Sequence, residues 1–184
     1  MHTGSMIRQS LPLLLLLGIG EIAAGGALSS MTKAFVEVPG LITLVPVSIA
    51  LRGYIGGALG SRMGSAAHLG LITEETIFGR VTRINIKASL LLSLFTSALS
   101  GLFAYAVARS FGIAANLYQL VAIALIGGLM AGLILAFLTI GIILLGFKGG
   151  LDPDNVISPS IATIGDVLTI LCILAAVGLV GGVA

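Results

Sequence analysis

Five long apolar segments, separated by short polar stretches, make up most of the chain. A transmembrane α-helix needs about 20 predominantly apolar residues, and each segment meets that length. The predicted spans are Leu11–Met31, Pro39–Met63, Ile86–Ala108, Leu117–Phe147 and Val156–Val183. Nothing between them is long enough for a soluble domain. We therefore predict an all-α integral membrane protein in which residues 6–184 form one five-helix transmembrane domain, while residues 1–5 look like an expression remnant.

The stretch from Gly64 to Lys87 is the most polar connection in the chain. It contains His68, Glu74 and Glu75 and two arginines, at a spacing that fits no metal-ligand motif. We predict that it forms a short surface helix beside the membrane.

Composition supports the membrane assignment, because 58% of the 184 residues are hydrophobic and only 9% are charged. A soluble domain carries about 25% charged residues. The basic residues flank the predicted spans, so no nucleic-acid partner is expected and the lipid bilayer is the predicted surroundings. A single cysteine, Cys172, excludes an intrachain disulfide. No nucleophile, base and metal set is present, so we do not expect an enzyme.

The placement of lysine and arginine predicts the orientation, because cytoplasmic loops of membrane proteins carry an excess of both. With a cytoplasmic N-terminus, the outer loops hold only Lys33 and Arg109. The inner segments then hold Arg8, Arg62, Arg80, Arg83, Lys87 and Lys148. We predict a multi-pass protein of the cell membrane with its N-terminus in the cytoplasm and its C-terminus outside.

One acid, Asp166, interrupts the last apolar segment. It lies ten residues into the span, which at 1.5 Å per residue is roughly 15 Å deep. A carboxylate at that depth costs several kcal/mol unless it faces water, a partner or an ion, so Asp166 is a candidate functional residue. The alternative is a structural acid that pairs with Arg52 or with a hydroxyl group.

Oxygen-bearing residues accompany Asp166 on the same predicted helix. Asn155 and Thr163 fall on its face at helical spacing, and Ser158 is adjacent. Hard cations prefer oxygen ligands, and Mg²⁺ keeps much of its water and contacts few carboxylates. This face therefore predicts a site for a hydrated divalent cation.

Two further acids extend this prediction. Glu21 lies about ten residues into the first span, at the depth of Asp166, so the two acids could share one polar cavity. The alternative for Glu21 is a protonated side chain hydrogen-bonded between helices. Asp152 precedes the last span in the sequence Asp-Pro-Asp-Asn, where it either binds a cation at the cytoplasmic mouth or simply starts the helix.

Arg52 is the only basic residue inside a predicted span apart from those at the span ends. Because a positive charge in a cation path would be counterproductive, we predict that it pairs with an acid or snorkels to the interface. The glycines around it, at 53, 56, 57 and 60, serve either helix packing or a broken helix.

Two stretches resemble the transmembrane domain of the MgtE family of Mg²⁺ transporters, and more closely its solute-carrier relatives. The first is 35–68, with its Val-Pro, Arg-Gly and Gly-Ser-Arg-Met-Gly-Ser-Ala-Ala-His elements. The second joins Asp-Pro-Asp-Asn to Thr163-Ile-Gly-Asp166, with a step of fourteen residues from Asp152 to Asp166. The resemblance covers essentially the whole chain.

The resemblance implies a parallel homodimer with a pore on its symmetry axis, through which Mg²⁺ or another divalent cation passes as the transported ion. Asp166 then matches the acid that contacts the hydrated ion, and Asp152 matches the acid at the cytoplasmic end. One family asparagine is replaced by Tyr54 after Gly53. The family's cytoplasmic sensing domains have no counterpart here, so we expect gating to be intrinsic or supplied by a separate cytoplasmic regulatory chain.

Two other functions remain open from the sequence. The first is an ion- or proton-coupled secondary transporter with Glu21 and Asp166 as the coupling acids. The second is a non-transporting membrane subunit whose polar residues only hold helices together. Transport predicts that Asp166 is accessible to water, whereas the structural role predicts that it is dry and paired.

Overall fold

The structure, a computed structural model, describes residues 3–149 and 153–181. These residues form six α-helices and no strand. The helices are α1 (Thr3–Ser30), α2 (Thr32–Glu37), α3 (Leu41–His68), α4 (Arg80–Ser110), α5 (Leu117–Gly149) and α6 (Pro153–Gly181). Each predicted span coincides with one long helix, which confirms the all-α prediction. Helix α2 has no counterpart among the predicted spans, because six residues are too few to show a helical period.

Four of the helices, α3 to α6, are long and apolar enough to cross a membrane. Within the described side chains, α1 contributes a shorter apolar stretch, Leu14–Ser30. The chain is therefore an integral membrane protein, with four candidate spans among its described residues. A fifth span at α1 stays a prediction, and so does the orientation of the termini.

The polar connection does not form the predicted surface helix. Helix α3 continues to His68, a loop covers 69–79, and α4 begins at Arg80. In the loop the backbone N–H groups of Thr73 and Thr76 donate to each other's hydroxyl oxygens, over 2.8 and 3.3 Å. The helix prediction was wrong because such local hydrogen bonds compete with helical ones.

Helices α3, α5 and α6 form the centre of the bundle, since each of them packs against the other two. Helix α4 covers α3 and α5 on one side, and α1 packs against α6 on the other. Because α1 and α3 both flank α6 but make little contact with each other, a gap remains between them. Toward α2 this gap is an apolar groove of about 470 Å³, with Leu28 on one wall and Val45 and Ile49 on the other.

Two apolar clusters fill the interior, one toward each end of the helices. The first includes Met31, Leu41, Leu120 and Ile173. The second is built around Met63 and contains Leu59, Ile72, Ile140 and Ile161. Between the clusters lies a layer of polar and small residues at the middle of the bundle. Its members are Arg52, Ser93, Ser97, Gly128, Gly132, Gly165, Asp166 and Thr169.

The turn between α2 and α3 depends on Gly40. Its φ of +91° lies in the left-handed region, and a Cβ there would lie only 3.0 Å from Leu120 Cδ1. Thr43 donates to the Gly40 carbonyl oxygen over 2.6 Å and also to that of Ala104 over 3.1 Å. The start of α3 is thereby joined to the end of α4.

Candidate functional site

Asp166 lies near the middle of α6, and its side chain is half-buried. A Cβ on Gly53 of α3 would lie 3.9 Å from Asp166 Oδ1, so the carboxylate faces α3 across space that the glycine leaves open. Within the part of the chain whose side chains are described, it has no hydrogen-bond or ion-pair partner. The structural alternative, a dry acid paired with Arg52 or a hydroxyl group, finds no support in this geometry.

Glu21 lies on α1, on the other side of the gap from Gly53. Its side chain is exposed, and it is close enough to Asp166 for the two carboxylates to interact through their charges. The position is fixed by tight packing next to it, because a Cβ on Gly20 would lie 2.7 Å from Thr163 Cγ2. The gap between α1 and α3 therefore brings two acids together at the middle of the bundle.

The structure describes the remaining predicted site residues only in part. Thr163 is buried on α6, with its methyl group against Gly20. Asn155 and Ser158 belong to the first turns of α6, but their side chains are not among those described. Asp152 lies outside the described residues. Of the predicted site residues whose side chains are described, the structure brings together Asp166, Glu21 and Thr163.

The described side chains of this chain form no group of three or more Asp, Glu, His or Cys that could hold a metal ion. What the gap offers instead is a pair of carboxylates, of which Asp166 is half-buried and Glu21 is exposed. Such a pair attracts divalent cations, but it leaves most of an ion's six to eight oxygen positions to water or to another chain.

Arg52 has surroundings that differ from the prediction. It is only 4% exposed, and its Nη1 donates to Ser93 Oγ over 2.6 Å. The guanidinium fits because α5 carries glycines here: a Cβ would lie 2.9 Å from Nη1 at Gly132 and 3.1 Å from Nη2 at Gly128. No described acid pairs with it. The expectation that Arg52 pairs with an acid or snorkels to the interface was wrong.

A signal for this arrangement was present in the sequence. Ser89, Ser93 and Ser97 recur at four-residue spacing on α4, and such residues lie on one face of a helix. All three are buried. A buried hydroxyl stripe in a transmembrane helix favours a polar neighbour, and Arg52 is the neighbour of Ser93.

Within the glycine series on α3, Gly56 serves packing. A Cβ on Gly56 would lie 2.9 Å from Ile161 Cγ2 of α6, and α3 is unbroken from Leu41 to His68. The alternative of a broken helix at these glycines was wrong. Close packing at Gly56 also holds α6 against α3 less than two helical turns from Asp166, which limits how far the carboxylate can move.

Comparison with known proteins identifies the family of this chain. A family model described as "MgtE: Divalent cation transporter" matches residues 45–176, which include most of α3, all of α4 and α5, and α6 beyond Asp166. The chain belongs to the MgtE family. This confirms the resemblance expected from the sequence. Because MgtE proteins are transporters, it also confirms that the chain is not an enzyme.

Similar curated proteins are members of solute carrier family 41. Member 3 of Rattus norvegicus is 30% identical over 166 residues, which cover 85% of this chain and 35% of that protein. Member 2 of Homo sapiens is 31% identical over 187 residues, or 94% of this chain and 31% of that protein. Member 2 of Xenopus laevis is 31% identical over 185 residues, which cover 93% of this chain and 31% of that protein. This MgtE chain therefore spans about a third of the length of these relatives.

Proposed function

We propose that this MgtE chain passes divalent cations across the membrane, with Mg²⁺ as the preferred ion, through a pore on the axis of a parallel homodimer. The observation that carries the proposal is the position of Asp166, half-buried at the middle of a transmembrane helix with no partner among the described side chains. An intramembrane carboxylate without a partner is costly. A hydrated cation that passes the gap would offset that cost.

A second copy completes the site. Among the described acids, one chain places Asp166 and Glu21 together at the gap, and Glu21 is exposed. A two-fold axis along α3 and α6 would place a second pair of acids opposite the first. Mg²⁺ needs only one or two carboxylates and keeps several waters. In this proposal Thr163, Ser158 and Asn155 hold those waters along α6, and Asp152 collects ions at the cytoplasmic end.

Flux in liposomes tests the function directly. We expect the purified chain, reconstituted into liposomes loaded with a Mg²⁺-sensitive dye, to admit Mg²⁺ down its gradient with no pH gradient across the membrane. Empty liposomes are the control. If the protein assembles but no divalent cation enters, the chain is a non-transporting subunit and the proposal fails.

Crosslinking tests the dimer axis. Tyr54 follows Gly53 on α3 and is 75% exposed, so it should face the partner near the axis. We expect Tyr54→Cys, in a Cys172→Ala background, to form a disulfide-linked dimer in membranes under mild oxidation. Phe95→Cys is the matched control, because Phe95 is 66% exposed near the middle of α4 and should face lipid.

The dimer proposal predicts a disulfide-linked dimer for Tyr54→Cys and none for Phe95→Cys. Dimers through Phe95→Cys with none through Tyr54→Cys would move the interface to α4 and leave the gap between α1 and α3 facing lipid. Monomers at both positions would contradict a homodimer altogether.

Glu21 is expected to tune transport rather than to hold the ion. Since it is exposed at the edge of the gap, its charge is further from the ion than that of Asp166 and better screened. We expect Glu21→Gln to lower Mg²⁺ flux roughly threefold, equivalent to about 0.6 kcal/mol. Glu37→Gln, which removes an exposed acid from α2, should leave flux unchanged. Complete loss of flux in a folded Glu21→Gln protein would make Glu21 the primary ligand.

The proximity of Glu21 to Asp166 also favours a second candidate, a proton-coupled transporter in which the two acids exchange a proton for the cation. This alternative predicts that an imposed pH gradient drives Mg²⁺ against its own gradient. It also predicts that Glu21→Gln abolishes that uphill flux. Regulation by a separate cytoplasmic chain stays a prediction for either mechanism.

A further inference from the structure

The buried guanidinium of Arg52 has more positive charge and more hydrogen-bond donors than its described neighbours can use. Only 4% of the surface of Arg52 is exposed, and no described acid neutralises its charge. Its Nε is buried without any hydrogen-bond partner. A buried charge that lacks a counter-charge is strongly unfavourable, and so is an unsatisfied buried donor.

The neighbouring serines add to this excess of donors. Ser93 Oγ accepts from Arg52 Nη1, and Ser89 Oγ accepts from Arg62 Nη2 over 3.1 Å. Each hydroxyl group must therefore place its own hydrogen elsewhere. Other hydroxyl groups in the bundle donate to the carbonyl four residues earlier, as Ser100 does to Thr96 and Thr139 does to Leu135. Within the described residues, Ser89 and Ser93 make no such bond.

A small cavity lies where these groups meet. Its volume is about 10 Å³, and its walls include Arg52, Ser89, Ser93 and Gly132. That is close to the space of one water-sized sphere. Leu59 and Leu135 contribute apolar parts of the walls. Its occupant is therefore a single atom or a single water molecule.

The charge of Arg52 distinguishes between these occupants. A water molecule could donate to the second lone pair of each serine oxygen, but it would leave the guanidinium without a counter-charge. A halide ion only accepts, and it carries the charge that Arg52 lacks. The expected hydrogen bonds come from the guanidinium and from the Ser89 and Ser93 hydroxyl groups.

We propose that a chloride ion binds in this cavity as the counter-ion of Arg52. The site goes beyond the cation pathway, which lies on the other face of α3 at Gly53. The two are coupled through α6, because Arg52 Cγ lies 3.9 Å from the position of a Cβ on Gly165, next to Asp166. Bound chloride neutralises a fixed positive charge that would otherwise repel cations at Asp166.

Thermal unfolding in detergent tests the site without any transport assay. We expect the wild-type protein to melt roughly 3–5 °C higher in saturating chloride than in gluconate at equal ionic strength, as for a ligand well above its dissociation constant. Arg52→Met should lose this difference. Arg83→Met, which removes an exposed arginine from α4, should keep it. Equal melting of the wild type in both salts would overturn the proposal, as would an unchanged difference in Arg52→Met.

Two further measurements keep the proposal testable if Arg52→Met does not fold. Ser93→Ala removes one donor and should raise the chloride concentration needed for half of the stabilisation about tenfold. Crystals of the wild type grown in bromide should show an anomalous peak between Arg52 and Ser93. A protein that diffracts well in bromide but shows only water there would refute the anion site.

Discussion

Asp166→Asn is expected to reduce divalent cation flux at least about tenfold while leaving the protein assembled. The variant keeps the size of the side chain but removes one charge per subunit, hence two per proposed pore. At an effective dielectric near 20, a unit charge about 4 Å from a divalent ion contributes several kcal/mol. Water around Mg²⁺ lengthens that distance, yet a tenfold loss needs only about 1.4 kcal/mol. Assembly should survive because an amide is easier to bury than a carboxylate.

The measurement is Mg²⁺ entry into dye-loaded liposomes, with dimer content determined on the same preparation. Asp152→Asn serves as a comparison at the predicted cytoplasmic mouth and should have a milder effect, since solvent and salt screen a charge there better than one at the middle of the span. If folded, dimeric Asp166→Asn transports like the wild type, the pore assignment fails. The role of these polar residues would then be to hold the helices together.

Gly101→Ala is expected to destabilise the bundle by about 1–3 kcal/mol, the usual range for an overpacked position. A Cβ at this position of α4 would lie 2.6 Å from Val121 Cα and 3.0 Å from Leu120 O. Both atoms belong to the backbone of α5, so no side-chain rotation can relieve the overlap and the two helices must separate. For a chain of this size the melting temperature should fall by roughly 2–4 °C per kcal/mol.

Gly141→Ala is the matched control for Gly101→Ala, because a Cβ on Gly141 of α5 meets no atom within 4 Å. It should melt at the same temperature as the wild type or slightly higher, since alanine favours the helix by up to about 1 kcal/mol. Similar melting temperatures for the two variants would mean that α4 and α5 pack less closely than described.

The long helices could be predicted because the bilayer imposes a simple requirement of about 20 apolar residues on each span. The same rule placed Asp166 and Glu21 at equal depth, and the structure puts them in one gap. The short helix α2 and the loop at 69–79 followed no such rule. Both depend on local hydrogen bonds, such as those between Thr73 and Thr76, that hydropathy does not register.

The surroundings of Arg52 could not be predicted from its own helix. Hydropathy shows that an arginine lies within a span, but not which residues of other helices face it. The answer depended on serines of α4 and glycines of α5. These residues are 37 to 80 positions away in the chain, and only the packing of α3 against both helices brings them together. Sequence reasoning therefore located the charge and misjudged its partner.

The packing around Arg52 also restricts the order in which substitutions at this arginine and its neighbouring glycines can accumulate during evolution. A Cβ on Gly128 would overlap Ser97 Oγ and lie 3.1 Å from Arg52 Nη2, and one on Gly132 would lie 2.9 Å from Nη1. A larger residue at either glycine is harmful while the arginine is present. Once the arginine has been replaced by a shorter side chain, growth at Gly132 has to displace only the Ser93 hydroxyl group, whereas growth at Gly128 still requires a change at Ser97. Loss of Arg52 must therefore come first, and later growth at the glycines would make its return difficult.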